Sequence, residues 1–315
     1  MQKKHPIIAV TGASGAGTTV VQQAFKEIFF RLGVRGVFVE GDSFLKYDQE
    51  EMCRVIDRAE QEQKPLSTYG PELNDFERLE QLFRQYSETG TGQIRHRVNH
   101  DNQHAFDQPI GTFTPWQAMP ADSDLLFYEG LHGGVVASSW TRRKMSESHN
   151  PLIIERRKHA DATGVDVAQY VDLLIGVVPA INLEWIQRIH RDFHCKQQTT
   201  EAVTRDIIER LQDYIHFIVP QFSLTDINFQ RMPVVDTSDP FIAREVPTES
   251  ESVVVVRFRE PRKYDFPTLL KRIPESFMSR ANTMVIPGGE MRHALDVICA
   301  PMIEAFRDNK PLFAN

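Results

Sequence analysis

Residues 10–21, VTGASGAGTTVV, constrain the chain more than any other stretch. They follow the short apolar run of residues 7–10 and have the spacing G-x-x-x-x-G-K-[ST], with Gly12, Gly17 and then a hydroxyl at Thr19. A loop of this kind holds an anion because successive backbone N–H groups converge on it at the start of a helix, where the helix dipole also favours negative charge. Gly12, Ala13, Ser14, Gly15, Ala16, Gly17, Thr18 and Thr19 are therefore the candidate nucleotide-binding residues, and the Thr19 hydroxyl stands where Mg²⁺ would sit. The lysine that normally reaches the outer phosphates is replaced by Thr18. Its loss removes a movable charge and leaves the backbone cradle intact. A glycine-rich turn alone is also an ordinary tight connection; the full spacing after an apolar strand is what favours a nucleotide.

A strand feeding such a loop belongs to an α/β sheet, and the rest of the chain agrees. GVFVEGD, SDLLFYEG and VDLLIGVVP read as further buried strands, separated by helical patterns over 18–32, 48–63 and 74–88. Another helix is expected over 199–218, capped by Thr199 or Thr200 with Glu201 in its first turn. After Pro220, NFQRMPVVD, SVVVVRFR and NTMVIPGG resemble antiparallel additions to the same sheet more than βαβ units. The expected fold is a mixed α/β, P-loop kinase-like sheet flanked by helices, with additional antiparallel strands in the C-terminal third, in a single domain spanning 1–315. The polar segment at about 140–164, rich in Arg and Lys, looks inserted. A solvated excursion is its ordinary reading and a binding arm the alternative.

In open α/β sheets ligands sit outside the carboxyl ends of the strands, where Asp42 and Glu129 should project. Phosphoryl transfer needs an acid that positions the metal and an acceptor for the proton of the attacking hydroxyl. Glu129 suits the first role and Asp42 the second. Further along, Arg188, Arg191 and Asp192 share one helix face, with Lys196 and Arg205 following. Such a face is commonly solvated. Beside a lysine-less loop it could instead be a lid, about 186–206, whose Arg188 and Arg191 bring charge to the transferring phosphoryl group.

Composition narrows the partners. Thirty-six Lys and Arg against 43 Asp and Glu give a net charge of −7 with no long basic block, which argues against nucleic acid or an anionic membrane surface. The 3 cysteines, Cys53, Cys195 and Cys299, form no C-x-x-C pair, so neither a zinc site nor a disulfide framework is indicated. The apolar run near the N-terminus is too short for a secretion signal and none is long enough to span a bilayer. A cytoplasmic enzyme is expected.

HPIIAVTGASGAGTT, EGDSF, LLFYEGLHGGVV, GVVPAINLEWIQRIHRD, PQFSLTDINFQRMPVVDTSDPFIAR and SRANTMVIPGG together resemble the phosphoribulokinase family of the proteobacterial type, from about residue 3 to about 304. The resemblance implies a P-loop kinase that uses Mg-ATP to phosphorylate ribulose 5-phosphate on O1. It implies that Thr18 in place of the loop lysine is a family trait, that Asp42 is the catalytic base, and that Glu129 is a Walker-B-like metal-site acid. Asp192 becomes a second catalytic acid next to Arg191, and His100 faces the sugar-phosphate site, with Arg191 and Lys196 also contacting substrate. A homo-oligomer activated by NADH and inhibited by AMP, through Arg31, Arg257 and Arg280, is implied as well. The cysteines that switch the plant members have no counterpart in the loop.

Departures from the family pattern concentrate on the acceptor side. Leu45, Gln49 and Cys53 stand where the family usually has His, Arg and Lys; Val98 replaces a Tyr, Arg188 a Lys, and Lys196 an Arg. Leu and Cys cannot reproduce charge-assisted contacts to a dianion. The first-choice substrate is ribulose 5-phosphate. The alternatives are a kinase of the same machinery acting on another pentose, polyol or nucleoside, and a non-catalytic nucleotide-sensing homologue.

Overall fold

A computed structural model describes residues 5–12, 18–64, 66–136, 165–196, 198–241 and 245–310, without the side chains of residues 18–19 and 194–196. The loop residues Ala13–Gly17 and the segment at about 140–164 thus lie outside the described residues.

The apolar runs become strands of one sheet. β1 (Ile7–Gly12) leads into α1 (Thr18–Leu32) and β2 (Gly36–Glu40). Two amphipathic helices follow, α2 (Gln49–Gln61), capped by Asp48, and α3 (Phe76–Thr89), capped by Asp75 and ended by Gly90 in the left-handed region at φ 68°. A small ribbon of β3 (Gln93–Ile94) and β4 (Gln117–Ala118) precedes β5 (Leu125–Gly130) and β6 (Leu173–Pro179). Then come α4 (Ile181–Lys196), α5 (Thr200–Glu209), α6 (Val219–Leu224), β7 (Ile227–Pro233), β8 (Ser252–Phe258), α7 (Phe266–Arg272), β9 (Phe277–Arg280), β10 (Thr283–Pro287) and α8 (Met291–Arg307).

Among the described residues the main sheet has 8 strands in the order β2-β5-β1-β6-β7-β8-β10-β9. The first five are parallel and the last three join antiparallel. β1 and β6 are buried along their whole length, as expected of continuous apolar runs covered on both faces, whereas β8 alternates between buried and half-buried residues. One face packs Phe25, Ile28 and Phe29 of α1 against Leu295, Ile298 and Met302 of α8, over Phe127, Phe229 and Val256. The other packs Leu79, Phe83 and Tyr86 of α3 over Leu126 and Tyr128.

The sequence expectation needs two corrections. NFQRMPVVD does not add antiparallel: β7 runs parallel to β6, pairing Ile227 with Ile175, because the helical excursion from α4 through α6 forms a crossover that returns the chain to the same end of the sheet. The helix expected over 199–218 is capped by Thr199 but ends at Glu209, and the chain resumes through a π turn at Tyr214–Ile218. α8 has no counterpart among the periodic segments read from sequence. Among the described residues no helix is long and apolar enough to cross a membrane.

Candidate active site

The site begins where β2 and β5 touch. A Cβ on Gly41 would lie 2.7 Å from the Tyr128 hydroxyl and 3.0 Å from Gly130 Cα, and one on Gly130 only 2.7 Å from Gly41 Cα, so both strand ends need glycine. Glu129 sits opposite Glu40 on β2 and Val10 on β1. The 3₁₀ turn Gly41–Phe44 then carries Asp42 beyond the sheet while Ser43 and Phe44 are buried beneath it.

That turn is clamped from outside the sheet. Arg95 Nε donates to the Ser43 carbonyl at 2.8 Å and its Nη2 to the Leu45 carbonyl at 2.6 Å. Its guanidinium lies 3.7 Å from the centroid of Phe113 and 4.7 Å from that of Trp116, and burial lowers its pKa. Two residues on, Arg97 Nη1 lies 3.6 Å from Asp42 Oδ2, with the Asp42 side chain 69% exposed.

Two cavities meet at this point. The larger, about 750 Å³, is lined by Gly12, Lys26, Asp42, Arg97, His100 and Glu129 among others. A smaller one of about 280 Å³ is lined by Asp42, Arg97, Tyr69, Arg188, Arg191 and Arg210. Beneath the arginines the buried Asp192 accepts from Arg191 Nε at 2.9 Å and has Arg188 Nε 3.9 Å away. Arg188 also pairs with Asp206, whose other oxygen takes Arg210 at 2.5 Å, and it donates to the Tyr69 hydroxyl at 3.4 Å. Burial raises the carboxyl of Glu184, which accepts from the Tyr214 hydroxyl at 3.2 Å. His132 is buried at the same wall; desolvation pulls it down to about 4, so the ring is neutral near pH 7 and its Nε2 donates to the Tyr69 carbonyl at 3.0 Å.

The structure thus brings Gly12, Asp42, Glu129 and His100 onto one cavity and Arg188 and Arg191 onto the other, with Asp42 on both. Thr18 and Thr19 open α1 and Lys196 closes α4, but their side chains are outside the described set. Among the described residues, Arg188 and Arg191 line the smaller cavity and not the one that contains Gly12. Of the positions that depart from the family pattern, Gln49 and Val98 both line the larger cavity and Leu45 lines the smaller one, whereas Cys53 is exposed on α2.

Arg31, Arg257 and Arg280 also separate. Arg31 pairs with Asp296 on the α1–α8 side of the sheet. Arg257 donates to the Phe222 carbonyl at 2.7 Å and Thr225 Oγ1 at 3.1 Å on the opposite face, and Arg280 lies across β10 from it, both opposite Thr283. Sequence reasoning missed Arg95, Arg97, Tyr69 and Arg210. The first two sit beside His100 in QIRHRVNHD, in an irregular stretch with no period to mark them.

Glu40 and Glu129 on adjacent strands next to Gly12 suit an ion held mainly by nucleotide phosphates. Mg²⁺ is usually bound that way, through one or two carboxylates plus phosphate oxygens and water.

A parallel strand running through a glycine-rich loop into a helix, with carboxylates at neighbouring strand ends, defines a P-loop kinase. Residues 7–238 match the model of the phosphoribulokinase / uridine kinase family, and the chain belongs to that family. It is 50% identical over 305 residues to the chromosomal phosphoribulokinase of Cupriavidus necator, covering 96% of each chain. It is 49% identical over 305 residues to that of Nitrobacter vulgaris, covering 96% of this chain and 97% of the relative. The solved phosphoribulokinase from Rhodobacter spheroides superposes with a TM-score of 0.81 at 46% identity, covering 97% of this chain and 98% of that one.

Proposed function

We propose that this kinase transfers the γ-phosphoryl group of Mg-ATP to O1 of ribulose 5-phosphate, giving ribulose 1,5-bisphosphate. One observation carries the reading: Asp42 lines both the cavity bounded by Gly12 and Glu129 and a cavity lined by Arg188, Arg191 and Arg210. The first cavity suits a nucleotide and the second an anionic acceptor, because arginines recognise phosphate by bidentate, charge-assisted bonds.

In this mechanism Asp42 takes the O1 proton as O1 attacks the γ-phosphorus, and Arg95 holds the turn that aims it. Glu129 and the Thr19 hydroxyl would hold a magnesium ion, which would offset the charge of the outer phosphates. Arg191, oriented by Asp192, binds the acceptor phosphate with Arg188 and Arg210 and, from the end of α4, Lys196, while His100 faces the sugar from the larger cavity. Arg188, Arg191 and Arg210 keep this second cavity cationic although Leu45, Gln49 and Cys53 stand where the family usually has His, Arg and Lys, which argues for a phosphorylated acceptor.

Arg31 and Arg257 lie on opposite faces of the sheet, so an NADH or AMP molecule held by Arg31, Arg257 and Arg280 would bridge two chains of a homo-oligomer. A cytoplasmic location fits these substrates. The test is ADP release by the purified protein against a panel of pentoses, pentose phosphates and nucleosides, with and without NADH. Ribulose 5-phosphate should give the highest kcat/KM. A preferred unphosphorylated acceptor, or no turnover at all, would refute the proposal.

A further inference from the structure

Among the described residues, only Gly41, Asp42, Arg97 and Leu131 line both cavities. A phosphoryl group moving from nucleotide to acceptor must pass these residues. In the transfer the bond from the γ-phosphorus to the bridging β-oxygen breaks, a bond to the acceptor oxygen forms, the acceptor proton goes to Asp42, and ADP leaves with the electron pair. Negative charge on the phosphoryl oxygens therefore passes beside the Asp42 side chain, and some cation must stand there.

Five Lys and Arg side chains are candidates among the described residues. Arg188, Arg191 and Arg210 line only the smaller cavity, where Arg188 and Arg210 are engaged with Asp206 and Arg191 with Asp192. Lys26 lines only the larger one, its Nζ donating to Gln22 Oε1 at 3.2 Å. Arg97 alone lines both. Its side chain is 24% exposed, and its ion-pair contact with Asp42 at 3.6 Å is longer than a hydrogen bond, leaving its donors able to turn to an incoming phosphoryl oxygen. The Asn102 side-chain amide fixes its backbone, donating to the Arg97 carbonyl at 3.0 Å.

From this geometry we infer that Arg97 is a catalytic residue that contacts the transferring phosphoryl group and supplies the charge Thr18 lacks. The inference rests on the kinase reading above, and it assigns the role of the missing lysine to a loop beyond the sheet rather than to α4. A cation that acts at the transfer point stabilises the transition state more than bound ATP, so its loss should fall on kcat.

The experiment compares Arg97→Gln and Arg97→Lys with wild type, measuring steady-state kinetics and ATP affinity by calorimetry. Arg97→Gln should lower kcat roughly 10²- to 10³-fold, the scale for one donor aimed at developing charge, with ATP affinity changed less than about threefold and partial recovery in Arg97→Lys. A second cycle separates direct contact from an effect through Asp42. In the Asp42→Asn background, Arg97→Gln should still cost at least roughly tenfold, whereas no further loss would mean that Arg97 merely orients the base and would overturn the inference. A kcat within about threefold of wild type, or a change confined to the acceptor KM, would overturn it too. Turnover of a different acceptor by wild type would refute only the substrate reading; no turnover with any acceptor would sink both.

Discussion

Arg95 offers a test of whether a residue remote from the chemistry sets the position of the base. Replacing it with Met keeps a long apolar stem and removes the guanidinium. Two charge-assisted hydrogen bonds, to the carbonyls of the buried Ser43 and Leu45, are lost, each worth about 1.5–3 kcal/mol. The stacking on Phe113 and Trp116 adds about 0.5–2 kcal/mol. Against this stands the desolvation of the guanidinium, the same burial that lowers its pKa, and it cancels a good part of the sum. The net destabilisation should be about 2–4 kcal/mol, read as a lower urea midpoint at constant m-value. Because a displacement of about 1 Å in a catalytic group can cost on the order of 100-fold, kcat should fall by roughly 10- to 100-fold while ATP affinity is spared. Arg95→Lys keeps the charge but not the planar fork and should recover part of both. Full kcat in a destabilised Arg95→Met would refute the idea that Arg95 holds the Asp42 turn, and unchanged stability would show that burial cancels the bonds completely.

Asp42→Asn should lower kcat by roughly two to four orders of magnitude with nucleotide binding nearly unchanged; equal loss of both, by calorimetry and kinetics, would remove Asp42 from the role of base. Arg191→Ala should cost about 2–4 kcal/mol of transition-state stabilisation for the sugar phosphate. Arg188→Ala should cost less of it but should also lower the melting temperature, since Arg188 is tied to Asp206, Asp192 and Tyr69. Equal effects of the two variants in both assays would contradict that division. If the effector reading holds, NADH raises the activity of wild type and Arg31→Ala abolishes the response while sparing basal turnover, and an NADH-insensitive wild type refutes it. His132 supplies a pH test: its folded pKa of about 4 lies below the unfolded value, so the unfolded chain binds the extra proton between roughly pH 6.5 and 4. Stability should therefore fall as pH drops through that window, by up to about 3 kcal/mol, and His132→Gln should flatten the slope in denaturation curves taken at several pH values. An unchanged slope would refute the assignment.

What the sequence determined by itself is the part governed by local chemistry. The glycine spacing after an apolar run announces a phosphate cradle because backbone conformation and the start of a helix need only neighbouring residues. Asp42 and Glu129 were legible for a related reason: a strand that is apolar to its end and then turns acidic marks the edge of a parallel sheet, where ligands collect. The caps at Asp48, Asp75 and Thr199 follow the same local rule, and the structure resolves the choice between Thr199 and Thr200 in favour of Thr199. Tertiary structure alone decided the rest. The direction of β7 depends on the crossover through α4–α6, which no alternation within residues 227–233 encodes. Arg31 and Arg257 fall on opposite faces because strand pleat and helix packing, set by register, assign each residue a side of the sheet. Arg95 and Arg97 matter because a loop more than fifty residues from Asp42 folds back onto its turn, so that two arginines without periodicity come to touch the backbone and carboxylate at the junction of two cavities. Packing of distant segments creates that junction, and its cost and geometry are properties of the folded chain as a whole.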